Sequence, residues 1–360
     1  MIKVLIVEDS PVVSAFLAYF LNSDPEMQVI GTANNGIEAI EAVKRKKPDI
    51  ITMDINMPKM NGLEATREIM ETIPVPIVIV TGSYDTTEIA LTFSALEAGA
   101  VAIVRRPTGI GHPEHETTLK ALIRAVKLMS EVNVVKRRPA TTRRKASDIA
   151  VSPPIEETSG YAKVRVVAMG ASTGGPLALQ TVLSGLSGDF PAPVLIVQHI
   201  AEGFAPGFAE WLNQKTDLLV HVARDGERIL PKHVYVAPNG FHMGVKYAGR
   251  IALAGDEPEN GLRPSVSYLF RSVANVYGQH AVGVLLTGMG NDGALELKRL
   301  KEKGAVTLVQ DEVSSVVFGM PGQAIILDAA THVFSPEGIA EKLNNLFRID
   351  NSQLKRGIIR

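Results

Sequence analysis

Along the first 130 positions, short β-branched and aliphatic runs alternate with stretches whose apolar residues recur at helical spacing. The runs at 2–7, 27–32, 50–53, 77–80 and 101–104 predict strands, and the intervening patterns predict helices, the last over 116–130. Five such β-α units imply a parallel sheet covered on both faces, because parallel strands need crossover connections and those connections bury the sheet.

The rhythm then stops. From 132 to 147 there is no acidic residue, while Lys136, Arg137, Arg138, Arg143, Arg144 and Lys145 fall among Pro, Thr and Ala, and Pro153 and Pro154 follow. Without apolar periodicity this stretch reads as a solvated linker, in preference to a nucleic-acid contact. Alternation resumes with strands expected at 164–169, 194–198, 218–222, 233–236, 281–286 and 305–309, and a last helix after Ser335 and Pro336. The expected class is α/β with two doubly wound parallel-sheet domains, at 1–130 and 162–350, joined by a basic linker at 131–161.

Composition narrows this only modestly. A chain of 360 residues fits about two cores. With 46% hydrophobic and 21% charged residues and a net charge of -1, no global attraction to nucleic acid or membrane follows. Cysteine is absent, which excludes disulfides, thiolate nucleophiles and cysteine-based zinc sites. The opening MIKVLIVED does not read as a signal peptide, and runs such as 75–80 fall far short of a membrane span, so a cytoplasmic protein without membrane insertion is expected.

Two constellations carry chemistry. Glu8 and Asp9 follow the first strand and Asp54 follows the third, so the three carboxylates should meet in the crevice at the strands' carboxyl ends. Like charges gathered there call for a cation, and Mg²⁺ with oxygen ligands is the usual one. Thr81 ends the fourth strand and Arg106 lies just past the fifth, a hydroxyl and a cation suited to a phosphorylated Asp54. Five converging elements outweigh the alternative in which Asp9 and Asp54 merely cap helices or turns.

In the second half, GASTGGP at 170–176 sits between a strand and a helix, the G-x-S-x-G spacing that exposes a serine hydroxyl on a tight turn. A dinucleotide loop is the rival reading, but it wants an acid at the end of the next strand, and that strand ends Val197-Gln198-His199. His199 is thus the expected base for Ser172, with His242 second. Asp292, in TGMGNDG at 287–293, is the expected partner of the imidazole, and the amides of Thr173 and Met289 are candidate oxyanion donors. The order Ser, His, Asp differs from that of ordinary α/β-hydrolases.

The first half resembles a response-regulator receiver domain through VEDSP at 7–11, MDINMPKMNGLEA at 53–65, Thr81, ALEAGA at 95–100 and Arg106-Pro107. The resemblance implies a flavodoxin-like fold in which Asp54 is the phosphoacceptor. Glu8, Asp9, Asp54 and the Asn56 backbone carbonyl would bind Mg²⁺, and Thr81 would be the switch hydroxyl. Receivers usually carry lysine where this chain has Arg106, and many carry an aromatic residue where it has Ile103.

The whole chain resembles chemotaxis-type protein-glutamate methylesterases, a receiver fused to a larger Rossmann-like esterase domain. GASTGGP, VQHI, FAPGFAEWL, VAPNGFHM, RPSVSYLF, LLTGMGNDGA and QDEVSSVVFGMP carry the likeness. It implies hydrolysis of glutamate methyl esters on chemoreceptor helices, and deamidation of glutamines there, with Ser172 as nucleophile, His199 as base and acid, and Asp292 orienting it. It further implies a histidine kinase as phosphodonor, no cofactor for the ester step, and no nucleic-acid partner. A non-catalytic receptor-binding adaptor or a nicotinamide oxidoreductase is the alternative.

Overall fold

The computed structural model describes residues 1–82, 85–132, 134 and 164–356. Apart from residues 131, 132 and 134, the expected linker lies outside them. The first unit runs β1 (Ile2–Val7), α1 (Pro11–Ser23), β2 (Met27–Ala33), α2 (Gly36–Lys46), β3 (Ile50–Met53), α3 (Gly62–Thr72), β4 (Ile77–Thr81), α4 (Thr86–Ala98), β5 (Ala102–Arg105) and α5 (His115–Ser130). Its sheet is parallel in the order β2-β1-β3-β4-β5.

Strand period 2 explains the two-sided core. Val4 and Ile6 pack with Leu17 and Leu21 of α1 and Leu122 and Val126 of α5. Leu5 and Val7 face Ile40 of α2, Ile69 of α3 and Phe93 of α4. Both faces carry buried apolar side chains, as crossover helices require.

The second unit runs β6 (Val166–Ala171), α6 (Gly175–Ser184), β7 (Val194–Gln198), α7 (Ala205–Asn213), β8 (Leu219–Val222), β9 (His233–Val236), β10 (His242–Lys246), β11 (Arg250–Ala254) and α8 (Val266–Val276). It continues through β12 (Ala281–Leu285), α9 (Ala294–Glu302), β13 (Val306–Gln310), α10 (Met320–Ile326), β14 (His332–Phe334) and α11 (Pro336–Arg356). A seven-stranded parallel sheet in the order β14-β13-β12-β6-β7-β9-β8 forms its centre. Val167 and Met169 of β6 face α6, α7 and α11, whereas Val166 and Ala168 face α8 and α9. The antiparallel hairpin β10–β11 and the short edge strand β14 lie beyond the expected pattern.

One apolar cluster crosses from the first unit to the second. Phe93 of α4, 1% exposed, stacks on Trp211 of α7 with centroids 5.5 Å apart, and its ring also meets Phe208 at 5.2 Å and Phe204 at 6.4 Å. At the edge of this cluster Glu97 pairs with Lys215 at 2.8 Å and accepts from Gln180 Nε2 at 2.9 Å. No helix among the described residues is long and apolar enough to cross a membrane.

Candidate active site and acidic pocket

In the first sheet, β1 lies between β2 and β3, and the crevice at the strands' carboxyl ends receives Glu8, Asp9 and Asp54. Ligand oxygens of the three lie within 4.8 Å of one another. Arg106 reaches both Glu8 Oε2 and Asp54 Oδ2 at 3.4 Å. Burial first, and the Asp54 charge next, push Glu8 up to about 7; burial likewise raises Asp54. Glu8 Oε2 is buried without a hydrogen-bond donor among the described residues.

Three crowded carboxyls, one with a buried oxygen that meets the Arg106 guanidinium but accepts no hydrogen bond among the described residues, match the donor set of a hard divalent cation, so the residues fit Mg²⁺. Thr81 is buried at the end of β4, its carbonyl accepting from Arg106 N–H at 2.8 Å. Asn56 is exposed, and its side-chain amide points to Glu88 at 3.5 Å, which leaves its backbone carbonyl as its candidate ligand atom. Ile103 packs, partly buried, on the face shared with α4.

In the second sheet, Ser172 follows β6 and His199 follows β7. The last ladder pair joins Ala171 to Gln198, and His199 N–H donates to the Ala171 carbonyl at 3.0 Å, so the two residues leave the sheet side by side. Ser172 N–H donates to the Thr287 carbonyl at 3.0 Å, which draws in the loop after β12. Gly174 takes φ +78°, and a Cβ on Gly175 would fall 2.1 Å from Gln198 Oε1. Those two demands account for the paired glycines of the motif.

His199 Nε2 lies 2.9 Å from Asp292 Oδ2. The same carboxylate oxygen accepts from Val266 N–H at 2.7 Å, and Oδ1 accepts from Ser265 Oγ at 2.9 Å and Ser267 N–H at 3.0 Å. These donors are the cap and first turn of α8, where free amides and the helix dipole favour a negative charge. Burial alone would raise Asp292, but the hydrogen bond and charge of His199 and the bonds from Ser267 outweigh it and hold the carboxyl down at about 2. With Nε2 engaged by a fixed carboxylate, Nδ1 is the ring nitrogen left for a hydroxyl, an arrangement able to draw a proton from a nucleophile and return it.

The second-choice histidine is a correction. His242 is fully buried, with Nε2 3.1 Å from the Glu257 carbonyl, Nδ1 accepting from Ser265 N–H at 3.3 Å, and its ring stacked on Tyr268 at 4.7 Å. It stands behind the α8 cap and supports the Asp292 cradle.

At the proposed oxyanion donors, Gly288 N–H bonds the Val317 carbonyl, and the hydrogen bonds of this turn among the described residues engage neither Thr173 N–H nor Met289 N–H. The Thr173 carbonyl accepts from Thr287 Oγ1 at 2.9 Å. Met289 is 40% exposed, and its sulfur meets Arg124 of α5 at 3.1 Å, so the first unit touches this turn.

Sequence reasoning missed Ser265 and Ser267, which hold Asp292, and Gln198, Thr287 and Gln310, which tie the loops. Gln310 Oε1 accepts from Thr287 N–H at 2.8 Å and its amide donates to the Ser314 carbonyl at 2.9 Å. Ser265 was legible as a helix cap ahead of an apolar pattern. Its partner, 27 residues away, was not.

Two family models match the chain: response regulator receiver domain over residues 4–112 and CheB methylesterase over residues 167–343. The protein-glutamate methylesterase/protein-glutamine glutaminase of Nitrosospira multiformis is 56% identical over 346 residues, covering 96% of this chain and 97% of that protein. A second of that description, from Geobacter metallireducens, is 57% identical over 347 residues, covering 96% and 99%. Among solved structures, the CheB methylesterase catalytic domain of Thermotoga maritima aligns with a TM-score of 0.50 and 36% identity, over 51% of this chain and all of that one. Neither the oxidoreductase nor the adaptor reading finds support in these matches. Likeness that runs through both halves at once, at identities this high, makes the chain a member of the protein-glutamate methylesterase/protein-glutamine glutaminase family.

Proposed function

We propose that residues 162–350 hydrolyse glutamate methyl esters, and deamidate glutamines, on the helical cytoplasmic part of chemoreceptors, under the control of residues 1–130. The observation that carries this reading is the buried Asp292 carboxylate bonded to His199 at the strand ends where Ser172 also emerges.

In the ester reaction, Ser172 Oγ attacks the carbonyl carbon while His199 Nδ1 takes its proton. The tetrahedral adduct expels the methoxy group, which leaves as methanol with the proton from the imidazolium. Water then attacks the acyl-serine, His199 again accepting and returning a proton, and glutamate and free Ser172 result. With a glutamine substrate, ammonia leaves instead. Asp292 keeps the imidazole in one orientation and stabilises its cationic form, and the amides of Thr173 and Met289 are the proposed donors to the oxyanion. No cofactor enters these steps.

Control begins at Asp54, phosphorylated by a histidine kinase in the cytoplasm. Mg²⁺, when bound, supplies charge neutralisation for phosphoryl transfer. Glu8, Asp9, Asp54 and the Asn56 carbonyl would hold it, and Thr81 and Arg106 would receive the phosphoryl oxygens. Supporting a gated arrangement, α4 and α5 lie against α7 and the Met289 turn.

The test is methanol release from methylated receptor, with and without a small phosphodonor, by wild type and Ser172→Ala. The alanine variant is expected to lose roughly 10⁴-fold or more. A residual rate near wild type would falsify the assignment.

A further inference from the structure

Gln198 closes β7, is 3% exposed, and spends both amide hydrogens on the two residues that matter most. Its Nε2 donates to the Ser172 carbonyl at 2.8 Å and to the His199 carbonyl at 3.0 Å. The regular ladder between β6 and β7 ends at Ala171 and Gln198, after which one chain turns into α6 and the other runs toward α7. The side chain therefore carries the pairing one step past the point where the backbones part. One neighbour adapts to it. Gly175 leaves room for Gln198 Oε1, and its own N–H donates to the same Ser172 carbonyl at 2.9 Å.

The arrangement has a cost. Gln198 Oε1 is buried with no hydrogen-bond partner among the described residues. An orphaned buried acceptor is destabilising, and an apolar side chain of similar volume would avoid the loss. The side chain thus leaves one acceptor unpaired while it holds two carbonyls, a balance that points to fixing the two loops rather than to filling the core.

We infer that Gln198 is a positioning residue for this hydrolase, a staple that fixes the spacing between the Ser172 and His199 backbones. The inference rests on the roles proposed above for those two residues. Misplacement of reacting groups by about 1 Å can cost on the order of 10²-fold, so loosening the staple should lower kcat far more than it alters substrate binding.

The test uses the full-length protein activated by a small phosphodonor. Gln198→Met keeps the volume and removes both donors. The expected result is kcat reduced roughly 10- to 100-fold and KM within about twofold, in a protein that still melts cooperatively, since loss of the orphaned oxygen offsets the donors taken from the Ser172 and His199 carbonyls. A kcat within twofold of wild type overturns the inference, as does a loss confined to KM.

If the methionine variant fails to fold, Gln198→Glu replaces it. An ionised glutamate offers no donor to the two carbonyls, whereas the protonated form offers one. Its activity relative to wild type should then rise as pH falls, and a ratio independent of pH rejects the staple. Ser172→Ala separates the two claims: if that variant is dead while Gln198→Met is fully active, the hydrolase reading stands and only the staple fails.

Discussion

Replacing Phe93 by alanine empties the centre of the aromatic cluster that joins α4 to α7. The ring meets three partners on the hydrolase side, Trp211 at 5.5 Å, Phe208 at 5.2 Å and Phe204 at 6.4 Å. Aromatic pairs of this kind contribute about 0.5–1.5 kcal/mol each beyond the area they bury, so the interdomain share of the three comes to about 1.5–4.5 kcal/mol. The ion pair at the edge is weaker. Glu97 and Lys215 side chains are 30% and 31% exposed, and such a pair is worth less than about 1 kcal/mol. Losing the about 1.5–4.5 kcal/mol of the aromatic share shifts a closed–open balance by roughly 10- to 10³-fold toward open.

The assay is methanol release without phosphodonor. Phe93→Ala should raise the basal rate by up to that factor, limited by the rate of the phosphorylated wild type, and Glu97→Gln should raise it less than about fivefold. Thermal melts establish that the variants are folded. A folded Phe93→Ala protein whose basal rate stays within twofold of wild type, yet responds normally to phosphodonor, would show that this cluster does not hold the enzyme shut.

Three further outcomes follow from the two sites. Asp292→Asn should lower kcat by about 10⁴-fold, with little change in KM, because an amide presents hydrogens where the α8 cap expects lone pairs. The same variant changes stability in a pH-dependent way. Asp292 is held at about 2 against an ordinary 3.8, so its ionised form contributes about 2 kcal/mol above pH 4, and this is lost as pH falls through the folded value. Denaturant titrations should therefore show wild type and Asp292→Asn converging between about pH 4 and pH 2; a constant gap would contradict the hold of His199, and after it of the Ser267 bonds, on the carboxylate. In the acidic pocket, chelation of Mg²⁺ by EDTA should abolish activation by phosphodonor and leave the basal rate unchanged, and activation that survives chelation would remove Glu8, Asp9 and Asp54 from that role.

Much of this molecule was legible before any coordinates. The strands expected at 50–53, 194–198 and 233–236 match β3, β7 and β9 at both ends, and β1 matches as well. Parallel strands buried on two faces advertise themselves as apolar runs, and short-range rules then order their connections. Because residues at neighbouring strand ends must converge, Glu8 with Asp54, and Ser172 with His199, could be paired from position alone.

What escaped depends on longer-range or weaker signals. The hairpin β10–β11 turns through Ala248 at φ +68° and Gly249 at φ +66°, and alanine in that conformation is no hairpin signature. His242 looked like a loop base because nothing in PNGFHM tells that Tyr268 will cover it. The cradle of Asp292 joins α8 to the loop after β12 across 25 to 27 residues, and the Phe93 cluster joins two domains. Local propensity and strand period set the elements and their faces. Which cap meets which carboxylate, and which helix of one domain meets which of the other, depends on packing between segments distant in the chain, which only the assembled tertiary structure decides.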